Sequence, residues 1–304
     1  MVYTDPTKRH EFVLLFDAKN SNPNGDPDAG NMPRVDPETM HGLVTDVALK
    51  RKIRDYLQLT RLSNDKEAQS GFDIFIQSRT PLNMLIQDAG KAVGVVESKT
   101  ENEKVRKELC HRYYDIRMFG AVLSTGTLNA GQVRGPVQIT FARSIDPVLP
   151  LDLAITRQAI TSEQRREARE TRSAKAGRAL TTTTEMGRKP IIPYGLYRAH
   201  GYFNPYLATQ TGVSQEDLEV LWEALQNLFE FDRSAARGEM HVRGLIVFTH
   251  DNPKGNAPAH KLFDLVTVRR RDGVSVPRGY HDYTVVIQRD DLPPGVTLSV
   301  LVEP

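Results

Sequence analysis

Of cysteine and of tryptophan the 304-residue chain holds one each, Cys110 and Trp222. A lone thiol excludes an internal disulfide and fits a reducing cytoplasm. Long apolar runs are missing as well. The longest cover about four residues, as in Val13-Leu14-Leu15-Phe16 and Leu245-Ile246-Val247-Phe248, against about 20 for a membrane-spanning helix. Met1-Val2-Tyr3-Thr4-Asp5-Pro6 has no basic region followed by an apolar core, so no secretion signal is expected. Charge of one sign is not in excess either. Forty Lys and Arg against 38 Asp and Glu leave +2, so an acidic polymer could be held only by locally clustered cations. With 39% hydrophobic and 26% charged residues, the composition is that of a soluble globular chain, not a disordered one.

The usual catalytic signatures are also lacking. There is no Gly-x-x-x-x-Gly-Lys-Ser/Thr phosphate loop and no Gly-x-Ser-x-Gly elbow. His10-Glu11 begins like a zinc-protease helix, but Leu14 stands where the second histidine belongs. Asp26, Asp28 and Gly30 faintly resemble a calcium loop, but its closing glutamate position is Pro37. Cys110-His111 has no second pair at zinc spacing, and the eight histidines are scattered. No cofactor or metal is expected, and the protein is expected not to be an enzyme. An endoribonuclease assembled from distant residues is the alternative, because such sites leave no local motif.

What is present reads as α+β. Glu11 to Phe16 is apolar and β-prone. Twelve turn-forming residues follow, Asn20 to Asn31, with Pro23, Pro27, Gly25 and Gly30 among them. A helix is expected over Gly42–Leu57, a strand over Phe72–Gln77 and a helix over Glu101–Phe119. Strands are expected over Pro136–Ser144 and Tyr194–Phe203. Ser214-Gln215-Glu216-Asp217 has capping character and opens a helix to Phe229, whose stripe of Leu218, Leu221, Trp222, Leu225 and Leu228 assigns Trp222 to packing. Four further strands are expected over Met240–Thr249, Leu262–Arg269, Tyr283–Gln288 and Thr297–Val302. The order strand, helix, strand, strand, helix, strand is the ferredoxin-like pattern shared with RNA-recognition domains. It requires residues 59–134 and 145–193 to be insertions in a single domain.

Four features point to a polyanion. The loop from Asn20 to Pro37 offers amides, including Asn20, Asn22 and Asn24, and is long for a plain connection. On the next helix, Lys50 and Arg54 occupy a side that also carries Leu43, Val47 and Leu57, with Arg51 and Lys52 beside them. The competing reading is that these stems lie along the edge of a core. Arg134 and Arg143 flank a stretch without acidic residues, either as phosphate clamps or as cations on a solvated edge. Arg157 to Lys189 carries nine basic residues against four acidic ones, Arg165, Arg166, Arg169 and Lys189 among them. That run is either a basic arm along a nucleic acid or a salt-bridged helix. Tyr194, Tyr197, Arg198 and Phe203 follow it as candidate base-stacking groups.

The segment Asn22-Pro23-Asn24-Gly25-Asp26-Pro27-Asp28-Ala29-Gly30-Asn31, then Pro33 to Thr39 and Gly42 to Arg54, resembles the N-terminal signature of the backbone subunit of type I-C CRISPR Cascade. This is the Csd-two branch of the Cas-seven family. The resemblance implies an RNA-recognition-like palm with a helical finger (59–134) and a projecting thumb (145–193). It implies a non-catalytic subunit that binds the guide RNA (crRNA), with copies of itself head to tail, a target DNA strand reached through guide pairing, and other Cascade subunits as partners. On this reading Asn20, Asn22, Asn24, Arg34, Lys50, Arg51 and Arg54 contact the guide. Arg134, Arg143, Arg165, Arg166, Arg169 and Lys189 come from the charge pattern alone.

Overall fold

The computed structural model describes residues 1–61, 71–157 and 185–304. In chain order its elements begin with β1 (His10–Ser21), β2 (Gly25–Asp26), β3 (Met32–Pro33), β4 (His41–Val44) and α1 (Asp46–Thr60). A helical region follows, with α2 (Leu82–Ala92), α3 (Glu103–Arg112), α4 (Tyr114–Phe119), β5 (Gly120–Val122) and β6 (Gln132–Arg134). Next come β7 (Val137–Ile139), β8 (Ala142–Pro147), β9 (Leu151–Arg157) and β10 (Glu185–Phe203). The chain then forms α5 (Pro205–Thr211), α6 (Gln215–Gln226), β11 (Glu239–His250), α7 (Ala259–Asp264), β12 (Val266–Arg270), β13 (Tyr283–Ile287) and β14 (Val296–Val302).

An eight-stranded antiparallel sheet runs in the order β14-β11-β1-β10-β8-β4, with β7 and β9 also pairing β10. β1 is central, and its first nine residues are buried whether they point up or down. Successive side chains of a strand face opposite ways, so β1 feeds two cores. Phe12, Leu14 and Phe16 meet α1 and α6 residues such as Leu49, Ile53, Leu221 and Trp222. Val13 and Leu15 meet Leu262 and Phe263 of α7 and Val266 of β12. Trp222 is 2% exposed, packs edge-on against Phe12 at 5.4 Å and donates its indole N–H to the Tyr3 carbonyl, the packing role expected of it.

Residues 71–134 hold a core of their own, built on Phe75, Ile86, Val105, Leu109, Ile116, Leu123 and Leu128. Two buried ion pairs fasten this unit to the sheet layer. Arg117 grips Asp217 of α6 through two N–H donors, at 3.0 and 2.6 Å. Its remaining donors reach the carbonyls of Cys110, His111 and Gly71. Arg54 of α1 donates to Asp115 at 2.7 Å, and the same carboxylate accepts the backbone N–H groups of Phe75 and Ile76.

These contacts explain three departures from expectation. Phe72–Gln77 is not a strand, because Asp115 takes the N–H groups a ladder would need; only a single bridge joins Asp73 to Tyr113. The helix expected over Glu101–Phe119 breaks at Tyr113 (φ −106°, ψ 113°), where Arg117 captures the terminal carbonyls of α3. Leu262–Arg269 is half helix: α7 turns its apolar Leu262 and Phe263 onto the sheet before β12 begins. The expected capping at α6 is present in full, with Ser214 accepting from the Asp217 N–H while Asp217 accepts from the Ser214 N–H.

Candidate nucleic-acid interface

Residues 22–37 form a folded loop. β2 and β3 make a two-residue ladder around a turn that ends in left-handed Gly30 (φ 62°) and Asn31 (φ 63°). A Cβ on Gly25 would press on the Asn31 side chain, which would have to shift. Asn22 is 5% exposed; its side chain donates to the Asn31 carbonyl and its backbone N–H to Ala236. Asn24 accepts from the N–H of Thr45, the residue that caps α1. Arg34 pairs with Asp26 at 3.1 Å. Asn22, Asn24 and Arg34 therefore shape the loop from within. Asn20, near the end of β1 and held at φ 47°, is exposed, as is Asn31 in the loop.

Against this loop lie one face of α1 and the segment 232–237, enclosing a cleft of about 270 Å³. Asn22, Asn24, Gly25 and Asn31 form one wall, Arg51, Lys52 and Asp55 the second, and Asp232 and Arg237 the third. Arg237 is bidentate on Asp232 at 2.8 and 3.1 Å, and Lys52 bonds the same carboxylate. Burial opposes ionisation of Asp232, yet the Arg237 and Lys52 bonds hold its carboxyl below the usual range. Burial likewise lowers Lys52, with Asp232 pulling the other way. Arg51 is the cation at the mouth, 70% exposed and 3.6 Å from Asp55.

The two other basic residues expected on α1 face elsewhere. Arg54 has a side chain 12% exposed and is committed to buried Asp115. Lys50, equally covered, pairs with Asp46 at 3.1 Å and lies over the Phe119 ring. Both were expected as guide contacts, and in this structure each is mostly covered and committed to a carboxylate. Releasing Arg54 to a phosphate would leave a carboxylate unpaired in the interior.

The outlying cations are dispersed. Arg134, on the exposed side of β6, stands on the ridge between a groove of about 890 Å³ and another of about 580 Å³. Arg143 is 59% exposed and pairs with Asp36, holding that carboxyl below the usual range. Lys189 lies on the β9–β10 ribbon opposite Leu153, beside Arg188, which is 82% exposed and bonded to Asp152. Arg165, Arg166 and Arg169 lie outside the described residues. The stacking role expected of Tyr194, Tyr197 and Phe203 is corrected, because all three are at most 5% exposed. Arg198 donates to the carbonyls of Phe263 and Val266, pinning α7 and β12 over the sheet. Lys52, Asp232, Arg237 and Asn31 were not expected at the site. Lys52 carried a sequence signal as part of the basic run on α1, and Asn31 as part of the turn-rich loop; Asp232 and Arg237 carried none.

Among the described residues no group of three or more His, Cys, Asp or Glu could hold a metal ion, and no helix is long and apolar enough to cross a membrane.

With the geometry in hand, comparisons with known proteins place the chain. A curated relative from Haloferax volcanii, described as CRISPR-associated protein Cas7, is 28% identical over 234 residues. The match covers 72% of this chain and 64% of the relative's length. A solved chain of a "CRISPR RNA-guided surveillance complex, pre-nicking" aligns with TM-score 0.47 and 13% identity, covering 79% of this chain and 78% of the other. A second, from a "CRISPR RNA-guided surveillance complex", gives TM-score 0.46 and 15% identity over 88% and 78%. The profile of the family described as CRISPR-associated protein Cas7 matches residues 8–288, nearly the whole length, and the chain belongs to that family.

Proposed function

We propose that this chain is a guide-RNA-binding backbone subunit of a CRISPR surveillance complex in antiviral defence, without catalytic activity of its own, working in the cytoplasm. Family membership over residues 8–288 is the observation that carries this reading. The folded loop of residues 22–37 beside Arg51 supports it, since an exposed guanidinium at the mouth of a shaped cleft suits a sugar–phosphate strand.

The finer reading is the type I-C, Csd-two branch. In it, the strand order β11-β1-β10-β8 with α1 and α6 on one face is an RNA-recognition-like palm, residues 59–134 are the finger and residues 145–193 the thumb. Copies then stack head to tail along the crRNA, and the target DNA strand is recognised through guide pairing beside other Cascade subunits. Within this frame Asn20, Arg51, Arg134, Arg143 and Lys189 are the described contacts proposed to meet the strand, with Arg165, Arg166 and Arg169 from the segment between the thumb strands.

The test is to purify the protein from cells carrying its repeat array and size the nucleic acid that travels with it. Discrete RNA of one repeat-plus-spacer length is expected. A protein free of nucleic acid that ignores added crRNA would defeat the reading. Defined cleavage products from repeat RNA would favour the endoribonuclease alternative.

A further inference from the structure

α1 runs on past the cleft into a second cavity, of about 530 Å³, which shares Lys52, Asp55 and Asp232 with it. The two form one continuous groove, but their chemistry differs. The second cavity is aromatic: Tyr56 and Phe231 stand 5.8 Å apart with their planes tilted by 53°, and Phe72 also lines it. Phe231 is 58% exposed, a large ring left open at the groove. The Arg61 guanidinium lies over Phe72, 4.0 Å from its centroid, and Tyr114 stacks on the same ring at 5.8 Å, which leaves Phe231 as the ring open to a partner. Gln58, Gln77 and Asn227 add amides at the rim.

The charges say which part of a nucleotide this cavity suits. Asp55, Asp73 and Asp232 outnumber Lys52 and Arg61 along its wall, which disfavours a phosphate inside. Arg51, the exposed cation, stands on the first cleft. A volume near 530 Å³ is within the range of about 300–1,000 Å³ usual for small-ligand sites. We infer that the Tyr56–Phe72–Phe231 cavity receives a single unstacked nucleobase of a strand whose phosphate lies against Arg51. This inference rests on the RNA-binding function proposed above. Aromatic faces accept any base, and rim amides offer both donors and acceptors, so the pocket is sequence-tolerant.

A scan with 2-aminopurine, placed at successive positions of a crRNA, tests this. Stacking in the cavity quenches the probe at one position for each bound copy of the protein. Phe231→Ala abolishes that quench and weakens binding by about tenfold, in line with the loss of one stacked base. Phe231→Trp, which keeps a ring at this exposed site, restores it. If the strand binds with wild-type affinity and no probe position responds to Phe231→Ala, the pocket assignment is wrong while the RNA-binding function stands. If the wild-type protein binds no crRNA at all, both fail together.

Discussion

At the scale of single residues, two arginines three positions apart on one helix have opposite duties. Arg51 is solvent-facing and loosely paired, whereas Arg54 is buried against Asp115. Arg51→Ala should leave the urea midpoint unchanged and reduce crRNA affinity alike for unrelated sequences. The salt slope should flatten by about 0.7, as for one phosphate contact on a single strand. Arg54→Ala should instead cost about 3–5 kcal/mol of stability, because it strands a carboxylate in the interior. Equal RNA defects at unchanged stability in the two variants would contradict this division. Gly25→Ala adds a Cβ 2.0 Å from the Asn31 side-chain oxygen. It should displace the wall of the cleft and lower RNA affinity, while far-ultraviolet circular dichroism stays that of the wild type.

Among the elements, α6 is stabilised twice through one carboxylate. Asp217 closes the capping box with Ser214 and also receives Arg117 from the helical unit. Ser214→Ala loses one capping bond and should cost about 1 kcal/mol. Asp217→Ala removes the cap and strands a guanidinium that is 8% exposed, so a loss several-fold larger is expected. Comparable urea midpoints for the two variants would mean that the Arg117 bond does not hold the 71–134 unit in place. The same pair accounts for the broken helix at Tyr113, since Arg117 draws its remaining strength from the α3 carbonyls.

For the molecule as a whole, acid should be destabilising well before the carboxylates titrate. Burial pushes His10 down to about 4, and burial together with nearby Arg198 brings His200 down to about 4. In the unfolded chain each imidazole takes a proton near pH 6.5, which the folded chain refuses until about pH 4. Their contribution is complete above 6.5 and is lost as the pH falls toward 4. For His10 the slope is up to about 1.4 kcal/mol per pH unit, and it is smaller for the more open His200. Urea midpoints at pH 7.5 and pH 5.0 measure this. A pH-independent midpoint would show that neither ring is protonated on unfolding.

Much of the architecture was legible along the chain. The apolar runs at Val13–Phe16 and Leu245–Phe248 announced two neighbouring inner strands, β1 and β11, and Ser214 with Asp217 announced the start of α6, because strand period and capping are local properties. The turn-rich signature at Asn22–Asn31 located the loop of the candidate site for the same reason: glycine and asparagine carry their backbone preferences with them. Which cations remain available was not written locally. Lys52 is bound by Asp232, 180 residues away, and Arg54 by Asp115, 61 residues away. Tyr194, Tyr197 and Phe203 read as stacking rings, but Tyr194 is sealed beneath β12 and β13, and Tyr197 and Phe203 lie in the opposite core with α1 and α6. Backbone preference depends on neighbours in the chain, whereas the charge and exposure of a side chain depend on neighbours in space. The strands, caps and loop therefore followed from the sequence, and only the tertiary structure decided which cationic and aromatic side chains stay exposed.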